Sequence, residues 1–216
     1  MWGDRQFIKF TCTTLLISIL FTPVVVSLHH SAFAQTRNYI PPEGGSPPSA
    51  PGIGGVRSGS CTGATNTAFT ALAPSGHVGQ TALTHPTFAW YVPDSQSLTI
   101  DFRLYVYGAD GRLQPQPVYR TELNSAPGIM LFTLPETEPE LLVGQRYYWR
   151  AGLVCDPNHG SETLIVDAEM QVVEGTVSQS ERWYDLLRET QVTSTSEAQS
   201  LSALLLELAA LENCLQ

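Results

Sequence analysis

Between residues 97 and 107 the chain alternates. Leu98, Ile100, Phe102, Leu104 and Val106 fall on one side, and Thr99, Asp101 and Arg103 on the other. A period of two puts the apolar set on one face of an extended strand; on a helix the same residues would scatter around the axis. The segment therefore reads as a half-buried antiparallel strand. Gly108-Ala109-Asp110-Gly111 follows with turn chemistry.

The neighbouring segments repeat the pattern. Thr87-Phe88-Ala89-Trp90-Tyr91-Val92 is aromatic and β-branched, with Pro86 before it and Pro93 after. Shorter runs follow at 118–121 and 128–134. At 146–154, Tyr147, Trp149, Ala151 and Leu153 alternate with Arg146, Tyr148 and Arg150. A last run covers 163–173. The prolines lie mostly between these runs, where they break no ladder. Six or seven strands in about 110 residues, with turns at intervals of about ten, predict an all-β antiparallel sandwich over residues 61–177.

The flanks differ from this core. Residues 1–34 carry Arg5 and Lys9, an apolar run from Phe10 to Leu28, and then Ala32-Phe33-Ala34. A charged start, an apolar centre and a small-x-small end make a cleaved secretory signal; the alternative is an uncleaved anchor. No later run reaches the length of a membrane span, so none is expected after cleavage. Residues 35–60 are rich in Pro, Gly and Ser and predict a disordered linker. Residues 178–216 switch to helical spacing. Ser178-x-x-Glu181 and Ser194-x-x-Glu197 spell capping boxes. Trp183, Leu186 and Leu187, then Leu201, Leu204, Leu205, Leu208, Leu211 and Leu215, line helix faces. They predict a short C-terminal helical hairpin, packed on itself or on the sandwich.

Charge excludes several functions. The full chain has 11 basic and 20 acidic residues, net −9. Without residues 1–34 it keeps nine and 19, net −10, and has no lysine. Schiff-base lysines, phosphate-loop lysines and Ser-Lys dyads are then excluded. Nucleic acid is an unsuitable partner, because phosphates need clustered cations.

Leu141-x-x-Gly144-x-x-Tyr147 has a spacing that resembles the tyrosine corner of immunoglobulin-like and fibronectin type III domains. That resemblance implies that Tyr147 is structural, that Trp90 is a core tryptophan, and that Trp149 is a second core aromatic on the returning strand. A wider set of motifs occurs in order: Arg57-x-x-x-Cys61, Thr70-Ala71-Leu72-Ala73-Pro74, His85-Pro86-Thr87-Phe88-x-Trp90-Tyr91-Val92-Pro93, Pro127-Gly128-Ile129, Gly144-x-x-Tyr147-x-Trp149 and Leu153-x-Cys155-Asp156. Over residues 57–178 these resemble a family of mostly cyanobacterial secreted proteins known only as a domain of unknown function. The resemblance implies a signal peptide, a Pro/Gly-rich lead and a β-rich domain, often with a longer helical tail. It implies no activity, substrate or cofactor.

Cys12 leaves with the signal, so three cysteines remain. Cys61 and Cys155 both lie in the β segment and in the shared motifs, and a disulfide between them is expected; Cys155 with Cys214 is the rival pairing. Cys214 is then a free thiol or the link of a homodimer.

Few residues suggest chemistry. Asp156, His159 and Glu162 share one turn and are the candidate metal ligands, although such turns usually serve backbone geometry. Asp167 and Glu169 lie two apart on one strand, the spacing of a carboxylate pair, but a solvated face explains them better, since glycosidase carboxylates face each other across a cleft. Tyr91, Tyr105, Tyr107, Tyr119 and Tyr148 exceed what a small core needs and suit stacking on sugars or peptides, although edge positions of the sandwich explain them better. No cofactor is expected. The sequence therefore points to a secreted or periplasmic, non-catalytic binding or interaction module of a bacterial envelope, its partner an envelope protein or glycan. The alternatives are a cell-surface hydrolase of glycans or peptides, and an assembly protein linked through Cys214.

Overall fold

A computed structural model describes residues 39–48, 61, 68–159 and 162–192. It is mainly β. The strands are β1 (Thr70–Ala71), β2 (Gly79–Thr81), β3 (Thr87–Val92), β4 (Thr99–Val106), β5 (Tyr119–Asn124), β6 (Gly128–Thr133), β7 (Arg146–Val154) and β8 (Thr163–Val172). A 3-10 turn at Gln179–Glu181 leads into one helix, α1 (Trp183–Val192). The strands form a three-stranded sheet in the order β1-β3-β6 and a five-stranded sheet in the order β2-β8-β7-β4-β5.

Alternation builds the core. Ile100, Phe102 and Leu104 of β4, Trp149, Ala151 and Leu153 of β7, and Phe88 and Trp90 of β3 are fully buried. Phe88 meets Phe102 at 5.0 Å and Trp149 at 5.7 Å between ring centroids, in tilted geometries that suit the ring quadrupoles. Trp90 lies 6.3 Å from Trp149. Phe132 of β6 closes the cluster, 4.8 Å from Phe102.

The structure differs from the sequence expectations in four places. The pairing is not antiparallel throughout, because β2 runs parallel to β8, Gly79 opposite Met170. Residues 39–48 are not a loose tether. Tyr39 is buried edge-on to Trp183, 5.2 Å away, and Ile40 donates to the Ser180 carbonyl at 2.9 Å. A single large aromatic anchors a Pro/Gly-rich segment that composition alone assigns to solvent. The Ser178 capping box does not form. The Ser178 hydroxyl bonds Ser180 at 2.8 Å, the Ser178 carbonyl closes the 3-10 turn, and α1 starts one turn later, at Trp183. Lastly, the core does not stop at Val177: α1 packs on the sheets, one of the two placements expected of it. Trp183, Tyr184, Leu186 and Leu187 belong to the core. The indole N–H of Trp183 donates to the Leu72 carbonyl at 3.0 Å. Tyr184 accepts from the Trp149 indole at 2.9 Å. Asp185 accepts from the Thr81 hydroxyl at 2.6 Å.

The second half of the predicted hairpin, its leucine face, Cys214 and residues 1–34 lie outside the described residues. No helix among the described residues is long and apolar enough to cross a membrane.

Candidate functional site: a polar sheet face and an apolar cleft

The alternation that buries one face of the five-stranded sheet places the remaining chemistry on the other. Arg103 of β4, Arg150 of β7 and Asp167 of β8 lie in one row, and Tyr105, Tyr148 and Glu169 in the next. The Tyr107 hydroxyl donates to Glu169 Oε1 at 2.7 Å, and Arg146 pairs with the other carboxylate oxygen. The Arg146 guanidinium lies 5.4 Å from the Tyr107 ring centre, and that of Arg150 lies 5.8 Å from that of Tyr148. Asp101 accepts from Arg103 and, at 3.0 Å, from Arg120.

The solvated-face expectation for Asp167 and Glu169 is overturned, since both are buried. The tyrosines and arginines of the same face form a layer around them. Burial pushes the Asp167 carboxyl above the usual carboxylate range, against the pull of Tyr148 and Arg150. Burial also raises the Tyr148 phenol to about 12. It holds the Tyr107 phenol well above its usual value too, helped by the bond to Glu169. At Asp101 burial opposes ionisation, but hydrogen bonds from Arg103 and Arg120 outweigh it and the carboxyl is lowered.

This face gathers Tyr105, Tyr107 and Tyr148 but not the other two tyrosines. Tyr119 turns inward against Phe132, 6.1 Å away, and Tyr91 lies on β3 of the other sheet. Nor, among the described residues, does a histidine join Asp167 and Glu169. His77 bonds Tyr39 at 2.5 Å, His85 bonds the Glu138 carbonyl at 3.0 Å, and His159 bonds Asp156 at 2.6 Å. Asp156 and Glu162 sit beyond the end of the β7–β8 ladder, whose last pair, Val154–Thr163, is four residues along from the Arg150–Asp167 pair, roughly 13 Å at strand rise. Asp156 and Glu162 therefore do not converge with Asp167 and Glu169.

Asp156, His159 and Glu162 form a turn. Asp156 accepts from the Asn158 amide at 2.7 Å as well as from His159, and the Glu162 amide donates to the His159 carbonyl. The bond to His159 holds the Asp156 carboxyl below its usual range. Among the described residues no group of three His, Cys, Asp or Glu side chains is placed to hold a metal ion.

A disulfide joins Cys61 to Cys155, 94 residues apart. A loop of that length constrains the unfolded chain strongly, by about 4–5 kcal/mol at most in the loop-entropy model. Tyr147 is buried, and its hydroxyl accepts from the Leu142 amide at 3.0 Å, across a turn in which Gly144 adopts φ +81°. Only a residue without Cβ takes that φ at low cost. Tyr147→Phe is expected to cost about 1 kcal/mol, since it removes one hydrogen bond and changes no packing. A urea midpoint equal to that of the parent chain would show that water replaces the phenol.

One feature escapes the sequence reading. An apolar cleft of about 290 Å³ opens at the end of the sandwich. Leu104, Val118, Leu134, Leu141 and Leu142 line it, with Glu138 and Glu140 at its rim. That volume lies at the low end of ligand sites. Leu142 is 66% exposed and Val118 51%. The available signal was the run Leu141-Leu142-Val143 ahead of Gly144. It is too apolar for a turn, and the tyrosine-corner spacing absorbs it.

A model of the family described as Domain of Unknown Function (DUF928) matches residues 52–212. No curated protein matches the chain.

Proposed function

Starting from a chain that belongs to this domain-of-unknown-function family, we propose a secreted or periplasmic, non-catalytic binding module of a bacterial envelope, built on an immunoglobulin- or fibronectin III-like sandwich. The observation that carries the reading is the cleft. It leaves apolar surface open beside two carboxylates, whereas the polar sheet face is closed on itself. Exposed apolar surface on a folded domain marks a contact site. Glu169 is tied to Arg146 and Tyr107, which leaves it a poor general acid or base. The bond from the Leu142 amide to Tyr147 supports the sandwich class. The Cys61–Cys155 bridge suits an oxidising compartment, and residues 1–34 are the leader in this reading.

The test uses the full chain and its Val118→Ser/Leu142→Ser variant. Both positions are exposed, so folding survives. The parent is expected to retain an envelope protein that the variant releases, and to turn over nothing in glycosidase and peptidase screens. Turnover that disappears in folded Glu169→Gln would sink the reading.

A further inference from the structure

Hydrogen bonds hold the walls of the cleft in place. On one side the Val118 amide donates to the Leu104 carbonyl at 2.8 Å. On the other the Leu141 amide donates to the Thr84 carbonyl at 3.1 Å, and the Leu142 amide to the Tyr147 hydroxyl at 3.0 Å. The rim is tied down as well. The Glu138 amide donates to the Pro135 carbonyl at 3.0 Å, and the Glu138 carbonyl accepts from the His85 ring at 3.0 Å. A site already ordered loses little conformational freedom when it is occupied.

The lining selects the chemistry. Leu104, Leu134 and Leu141 are its buried part, and Val118 and Leu142 are its exposed part. Its two tyrosines are engaged: Tyr119 stacks on Phe132, and the Tyr147 hydroxyl accepts from Leu142. A sugar needs several hydrogen-bonding groups or an open aromatic face, and an aliphatic wall offers neither. An aliphatic side chain suits both the wall and the volume of about 290 Å³. Charge adds a second requirement. Glu136, Glu138 and Glu140 share one loop, and Glu136 meets Arg188 at 3.9 Å. Glu138 and Glu140 border the cleft, and no Arg, Lys or His lines it. Among the described residues neither of the two forms an ion pair.

We propose that the cleft seats a Leu- or Met-sized side chain of a partner protein, with the Arg or Lys next to it in that protein set against Glu138 and Glu140. This rests on the binding-module reading and narrows its partner from protein or glycan to protein. The apolar seat supplies affinity, and the charged rim supplies choice and orientation. A second copy of the chain fits less well, because net charge −9 opposes self-association.

The probe is a capped hexapeptide, Gly-Ser-Leu-Arg-Ser-Gly, titrated against the full chain and followed by amide NMR shifts. Saturable shifts over residues 138–143 are expected. Ser in place of its Leu should weaken binding about tenfold or more, since nothing apolar is then seated. Glu in place of its Arg turns attraction into repulsion and should weaken binding about fivefold at low salt, and less at high salt. The Glu138→Gln/Glu140→Gln variant keeps shape and main-chain bonds, and should bind the Arg and Glu peptides about equally. If the parent chain binds those two equally, or binds the Ser peptide as well as the Leu peptide, the proposal is overturned. It is overturned too if no peptide binds at millimolar concentration. The binding-module reading then still stands where the parent retains an envelope protein that Val118→Ser/Leu142→Ser releases. A concentration-dependent dimer that dissociates in Leu113→Ser would overturn the proposal by giving the cleft to a second copy, whose Leu113 is 38% exposed beside Arg112.

Discussion

A chain ended at Val177 is expected not to fold. The sequence places the domain limit there, where strand periodicity stops. Among the described residues, the structure places four buried apolar side chains beyond it: Trp183, Tyr184, Leu186 and Leu187. At about 1.5–3 kcal/mol each, their burial contributes on the order of 6–12 kcal/mol. That equals the whole net stability of an ordinary domain, about 5–15 kcal/mol. The loss is also polar. Without Tyr184 the buried indole N–H of Trp149 has no acceptor, and without Asp185 the hydroxyl of buried Thr81 loses the acceptor of its proton. Tyr184 further packs against Gly79, where even a Cβ would stand 2.6 Å from its ring. The point variant Trp183→Ala removes one anchor of the same set and should cost about 3–5 kcal/mol, cavity included. Circular dichroism and urea titration check both. A cooperative transition near that of the parent in the shortened chain would show that α1 only decorates the sandwich.

The error at Val177 shows what periodicity can and cannot reveal. A period of two marks a strand with one buried face, and β7 was legible to the residue for that reason; β3, buried on both faces, was legible from its aromatic and β-branched run between two prolines. The same rule assigns every alternate residue to solvent, and there it fails. Asp167, Glu169 and Tyr148 alternate with the core set yet are buried, because large neighbours on the outer face cover them. That cover is made by residues on three strands, and only the register 103–150–167 brings them together. Tyr39 fails for the same reason, since its partners Trp183 and His77 are far away in sequence. Tyr147 was legible because its bond closes over five residues. The cleft was not, because β4, β5, β7 and the segment from Leu134 to Leu142 each contribute only a few of its walls. Local contacts write themselves into spacing, whereas sites assembled across sheets do not.

Glu169→Ala should cost about 3–5 kcal/mol. The carboxylate is only 2% exposed, and it answers both the Tyr107 hydroxyl and the Arg146 guanidinium. Removing it leaves a buried phenol without an acceptor and a guanidinium without its counter-charge. The Arg146 side chain is 24% exposed and also reaches the Pro47 carbonyl at 2.9 Å, so water and backbone offset part of the loss and favour the lower end. Asp167, two residues away on the same face, should behave oppositely. Its carboxyl is raised in the folded state, so the folded chain holds that proton more tightly than the unfolded chain does. Its contribution to stability is complete below the unfolded value near 4 and is lost as pH rises through the folded value. Asp167→Asn should therefore stabilise the chain at pH 7 and lose that advantage near pH 3. Urea midpoints at the two pH values decide it, and an Asn variant weaker than the parent at pH 7 would show that Arg150 outweighs burial. If Glu169→Gln stays folded, it should still bind whatever the cleft binds. On the binding-module proposal, that result would leave the polar face to hold the sheet together and the cleft to recognise the partner.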